Sequence, residues 1–163
     1  MSFSNQKKFL TPRQALERLK KYCAYQERSH SEVRSKLLDV GLRGKDLEMV
    51  MVQLIEEGFL NEERFAIAFT RGKFRMKRWG RKKIEQELKA RKISSYCIQK
   101  AMKEIDGADY RASLQKLLKK KLSSLHDKNP FTKKQKLAAF LIRKGYEQEM
   151  VWQMVNEEVN FSA

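Results

Sequence analysis

Apolar residues recur at separations of three and four along most of the chain, and no segment sustains the period-two alternation of a half-buried strand. That spacing predicts an all-α protein. A slower periodicity lies on top of it. Val33, Leu37 and Leu42 are matched 51 residues later by Ile84, Leu88 and Ile93, and a further 53 later by Leu137, Leu141 and Tyr146. The match continues through Leu47 and Val50, then Ile98 and Ala101, then Val151 and Met154. A repeat of about fifty residues indicates tandem helical units, each too small to bury a comfortable core alone, so that neighbours must stack.

Local signals divide the repeats. Leu42 with Leu47, Ile93 with Ile98, and Tyr146 with Val151 have the spacing of a hydrophobic staple around a helix start. Leu60 and Phe65 repeat it around Asn61, a cap candidate followed by Glu62 and Glu63, whose charge suits the positive end of a helix dipole. Thr11 with Gln14, Ser29 with Glu32 and Thr132 with Gln135 fit capping boxes. Gly41 and Gly145 fall where a helix ends and the chain reverses; Lys92 replaces glycine at the equivalent place in the middle copy. The expected architecture is three tandem three-helix repeats, at residues 12–60, 61–106 and 107–160, in an elongated, curved arrangement behind a basic tail of residues 1–11. Residues 123–130 read as the clearest internal loop.

Charge sharpens this picture. The 163 residues carry 36 Lys and Arg against 20 Asp and Glu, a formal net charge of +16 that favours a polyanionic or acid-faced partner. It is unevenly spread: +2 in the tail, +1 in the first unit, +8 in the second and +5 in the third. The densest run comprises Arg71, Lys73, Arg75, Lys77, Arg78, Arg81, Lys82 and Lys83, with no acidic residue between its ends. Lacking acidic neighbours in sequence, this run reads as a binding surface rather than a self-neutralised helix face. Trp79 within it suits either stacking on a base or packing at a helix junction, the latter favoured because aromatic side chains usually serve packing. Lys119, Lys120 and Lys121 form a weaker second patch.

Catalytic chemistry finds no handle. There is no phosphate-binding glycine loop, HExxH helix, GxSxG elbow or EF-hand loop. His30 falls in a helix cap and His126 in a loop, and both read as surface residues. Cys23 and Cys97 lie in separate apolar patterns without a CxxC pair, which argues against a zinc site or a disulfide framework. Absence of an apolar run of membrane-spanning length adds to the expectation of a soluble, cytoplasmic protein, monomeric and without enzymatic activity, metal or cofactor.

Residues 58–65 read GFLNEERF, which resembles the G-[FY]-L-[DN]-[DE]-x-R-F signature of the RecX regulatory family. Its elements here are Gly58, Phe59, Leu60, Asn61, Arg64 and Phe65. Downstream, Gly80, Ile84, Glu87, Leu88 and Ile93 are similar to that family's second-unit segment, with Lys92 where glycine is usual; residues 136–146 (KLAAFLIRKGY) resemble the third-unit segment. Ser31, Glu32, Leu37, Gly41 and Leu42 look like the first, although Val33 and Ser35 loosen the pattern.

The resemblance covers about residues 12–158 and implies three three-helix repeats. It also implies a modulator of the RecA recombinase that acts in DNA repair, recombination and the SOS response. Such proteins bind in the groove of the RecA filament on single-stranded DNA, limiting filament growth, strand exchange, ATP hydrolysis and LexA cleavage. On the residues alone, two other readings stand beside it: a basic DNA- or RNA-binding protein without recombinase specificity, and a helical adaptor for another acidic protein. The signature residues read chiefly as structural, holding the first unit against the second.

Overall fold

The computed structural model describes residues 9–161, so only Phe9, Leu10 and Thr11 of the tail are included, and its remainder lies outside the described residues. These residues form nine α-helices: α1 (Pro12–Tyr25), α2 (His30–Asp39), α3 (Gly44–Glu56), α4 (Glu62–Lys77), α5 (Arg81–Ala90), α6 (Ser95–Met102), α7 (Gly107–Ser124), α8 (Pro130–Arg143) and α9 (Gln148–Phe161). No strand occurs among the described residues. The helices form three groups of three, arranged as an elongated, curved body. The repeating anchors Val33, Leu37 and Leu42, with their counterparts in the other groups, are all buried.

Capping chemistry fixes most helix starts. Thr11 with Gln14 and Ser29 with Glu32 form reciprocal capping boxes, and the Asn61 side chain accepts from Arg64 N at 2.9 Å. The box expected at Thr132 and Gln135 is absent. Asn129 caps α8 instead, because Pro130 fits the first helical position, where its missing N–H costs nothing. The loop expected over residues 123–130 therefore shortens to 125–129, with Ser123 and Ser124 in the last turn of α7.

Three similar sequence units do not give three similar cores. The first group encloses its own cluster around Leu19, Leu37 and Leu54. The second and third share one continuous core running from Phe65 through Tyr110 to Val159. Both junctions nevertheless use one contact, in which the start of a middle helix meets the turn ending the next group's middle helix. Ser31 Oγ donates to the Arg91 carbonyl at 3.0 Å. One repeat later, Gly80 N donates to the Lys144 carbonyl at 2.8 Å and Lys82 N to the Gly145 carbonyl at 2.9 Å. At the second junction unpaired amides of one helix start thus meet unpaired carbonyls of another helix end, and at the first a serine hydroxyl takes the place of the amide. Backbones come so close that a Cβ on Gly80 would overlap the Gly145 carbonyl and Tyr146 N.

The equivalent turn of the first group is covered by the chain itself. Leu10 N donates to the Val40 carbonyl at 3.0 Å, and the Phe9 ring occupies the space a side chain on Gly41 would need. Gly41 and Gly145 have φ of +92° and +105°, and Lys92 is held at +60°. The missing glycine of the middle copy changes the residue and not the turn.

Candidate cationic interface

The run between Arg71 and Lys83 spans the end of α4, a short corner and the first turn of α5. Arg78 takes the left-handed conformation (φ +54°) that stops α4, and Trp79 N donates to the Lys73 carbonyl at 3.2 Å to close the helix end. A buried polar network then fixes the corner to the third group. The Tyr110 hydroxyl accepts from Arg81 N at 3.0 Å and donates to the Glu147 carboxylate at 2.9 Å. The Tyr146 hydroxyl donates to the Arg78 carbonyl at 3.0 Å, so Ser113 Oγ is the donor in its 3.0 Å contact with Tyr146. Burial pushes both phenols above their usual range, which keeps them neutral donors at physiological pH. Rings stack along this seam, with Phe74 6.0 Å and Tyr146 5.0 Å from Tyr110.

The eight cations of the run separate into four kinds. Arg71 has an acidic partner after all: its guanidinium meets the Glu104 carboxylate at 2.6 Å, a contact supplied by the turn after α6 and invisible to neighbour spacing. Lys73, Lys83 and Arg81 lie against aromatic rings. Lys73 Nζ is 4.9 Å and Lys83 Nζ 4.4 Å from the Trp79 centroid, and the Arg81 guanidinium lies 3.9 Å from that of Tyr110. Arg75, Lys77 and Lys82 are exposed, with no ion pair or ring contact. Arg78 is half-buried and contributes its carbonyl to the seam. Trp79 itself packs its edge against Phe69 and against the shared core, which is the junction role.

Lys119, Lys120 and Lys121 do not join this group. They begin nine residues beyond Tyr110, about 13 Å along α7. Lys119 and Lys120 are exposed, and Lys121 rests 4.9 Å from the Phe140 ring. Arg91, which sequence reasoning passed over, lies 4.7 Å from the Phe69 ring and so lengthens the cation–aromatic row toward the first group. Its signal was the repeat itself, since it immediately precedes Lys92 in the turn equivalent to that of Gly145. His30 also differs from expectation: it is half-buried at the start of α2, while His126 is exposed.

The signature segment makes the first corner. Gly58 turns with φ +78°, Leu60 and Phe65 are buried, and Phe59 lies under Lys20 Nζ at 5.7 Å. Arg64 ties three elements together. It donates to the Gly58 carbonyl at 2.8 Å and to Glu27 of the first group at 2.5 Å, while its backbone N–H is held by Asn61.

Comparison with known proteins bears directly on this arrangement. Residues 61–102 match the family model of the second three-helix domain of RecX, and residues 108–155 that of the third. Regulatory protein RecX of Pelodictyon phaeoclathratiforme is 33% identical over 130 residues, covering 78% of this chain and 77% of its own length. This chain belongs to the RecX family. RecX of Amycolatopsis mediterranei is 25% identical over 154 residues, covering 92% and 88% of the two chains. The fold is also that of RecX crystal structures. The one from Lactobacillus salivarius superposes with a TM-score of 0.80 at 18% identity, over 92% of this chain and 97% of that one. RecX proteins are regulators rather than enzymes, and the role of this chain is regulatory and non-catalytic. No helix among the described residues is long and apolar enough to cross a membrane.

Proposed function

We propose that this RecX-family protein binds the RecA filament on single-stranded DNA, lies along its groove, and restrains filament growth and the activities that depend on it. RecX membership gives the partner class. The observation that carries the reading is the corner between α4 and α5, where Arg75, Lys77 and Lys82 are exposed without ion-pair or ring partners on a segment immobilised by the Tyr110–Glu147 network. Cations held on a rigid corner lose little conformational freedom on meeting phosphate or carboxylate. The body spans two stacked groups that share one core, so it can contact successive subunits of a polymer without changing shape. Binding one filament state better than another shifts the polymer equilibrium with no covalent step.

The test uses substoichiometric protein added to preformed RecA filaments in the presence of excess free DNA. The proposal predicts a fall in ATP hydrolysis that competitor DNA does not abolish. Complete loss of the effect on adding competitor would identify a general nucleic-acid binder instead.

A further inference from the structure

The outward face of α3 is apolar where the equivalent faces of the other two groups are polar. Met49 is 65% and Val52 50% exposed. Their counterparts in the repeat register are Lys100 in α6 and Lys103 just past its end, and Gln153 and Asn156 in α9. The fold therefore does not require apolar residues there, and this outward face is the one that differs. It lines an open groove of about 840 Å³. Two charges flank the apolar pair, Lys45 a turn before Met49 and Glu56 a turn after Val52, and neither has an ion-pair partner among the described residues. Eleven residues apart, they share a face but stand about 16 Å from each other along the helix, too far to pair.

We propose that this face is a self-association surface, on which α3 of a second copy lies antiparallel. Centred between Met49 and Val52, the two-fold pairing sets Lys45 of each copy against Glu56 of its partner, Glu48 against Gln53, and Met49 against Val52. A two-fold interface must be complementary to itself, and this sequence of positions is. Charge distribution agrees. The first unit carries +1, against +8 and +5 in the others, so it is the end at which two copies of a +16 protein approach with least repulsion. A single helix face buries little area, so the dimer is weak, with a dissociation constant on the order of 100 µM.

Sedimentation equilibrium of the full chain over a concentration series tests this, with circular dichroism confirming the fold of each variant. Expected are a monomer–dimer equilibrium, its loss in Met49→Asp, about tenfold weakening in Lys45→Glu or Glu56→Lys alone, and recovery when both swaps are combined. Recovery in the double swap is specific to the antiparallel pairing. Monomer alone at millimolar concentration would overturn the proposal, as would a dimer indifferent to Met49→Asp or a double swap no better than the singles. Cross-linking of position 49 to the recombinase instead of a second copy would also overturn it, assigning the face to a different protein.

Discussion

Lys92 and Gly80 show how single positions carry the repeat. Lys92 occupies a left-handed conformation that its neighbours in the register fill with glycine. An L-residue with a Cβ is disfavoured there by roughly 1–2 kcal/mol, partly offset by the greater unfolded-state freedom of glycine. Lys92→Gly is therefore expected to stabilise the protein by about 1 kcal/mol, read as a higher urea midpoint at unchanged slope. Gly80 is constrained by space rather than by φ. Gly80→Ala forces the start of α5 away from the Gly145 turn and is expected to cost about 2 kcal/mol or more. An unchanged midpoint in that variant would mean the backbones separate freely.

Tyr110 makes a prediction about pH at the same scale. Its folded pKa lies above the unfolded value near 10 because burial disfavours the phenolate. The stabilisation is fully present below about pH 10 and is lost as pH rises above it, since the unfolded chain releases the proton first. Urea midpoints should fall above pH 10, and less steeply in Tyr110→Phe than in the parent.

At the level of elements, helix starts were legible in the sequence at the capping box of Ser29 and at Asn61, where a cap and a staple coincide. Legibility failed at α8, where Thr132 and Gln135 imitate a capping box but Asn129 and Pro130 start the helix a turn earlier. The charged run shows the same limit. Its lack of acidic neighbours was visible, but the Glu104 partner of Arg71 lies 33 residues away and the Glu147 contact with Tyr110 37 away, separations that no local spacing encodes. What remains after those partners are counted is the trio Arg75, Lys77 and Lys82. Replacing all three with Ala should leave helicity and thermal stability nearly unchanged, because none has an ion-pair partner. In salt titrations of single-stranded DNA or filament binding, the slope of log affinity against log salt should fall by about 2. A slope equal to that of the parent would place the contacts elsewhere.

Over the whole molecule, the fifty-residue period predicted the number and order of helices but not how cohesion is shared. The first group has a separate core, whereas the second and third form one continuous body, sealed by Gly80 against Gly145 and by two buried tyrosines. Equal spacing of anchors cannot report that difference, because it depends on which side chains cross the junctions. At the first junction the crossing contacts are polar, Ser31 to Arg91 and Arg64 to Glu27. The cationic corner consequently sits on the larger rigid body, while the nearly neutral first group is tethered to it.

Cross-linking from the corner itself tests the central claim most directly. Met76 is 83% exposed between Arg75 and Lys77 and has no ion-pair role, so a photoactivatable residue there leaves the charge intact; Tyr25, equally exposed on the first group, is the control. On preformed RecA filaments, position 76 is predicted to cross-link to recombinase or single-stranded DNA in high yield and position 25 weakly. Efficient cross-linking from position 25 with none from position 76 would contradict the assignment of the interface to the α4–α5 corner.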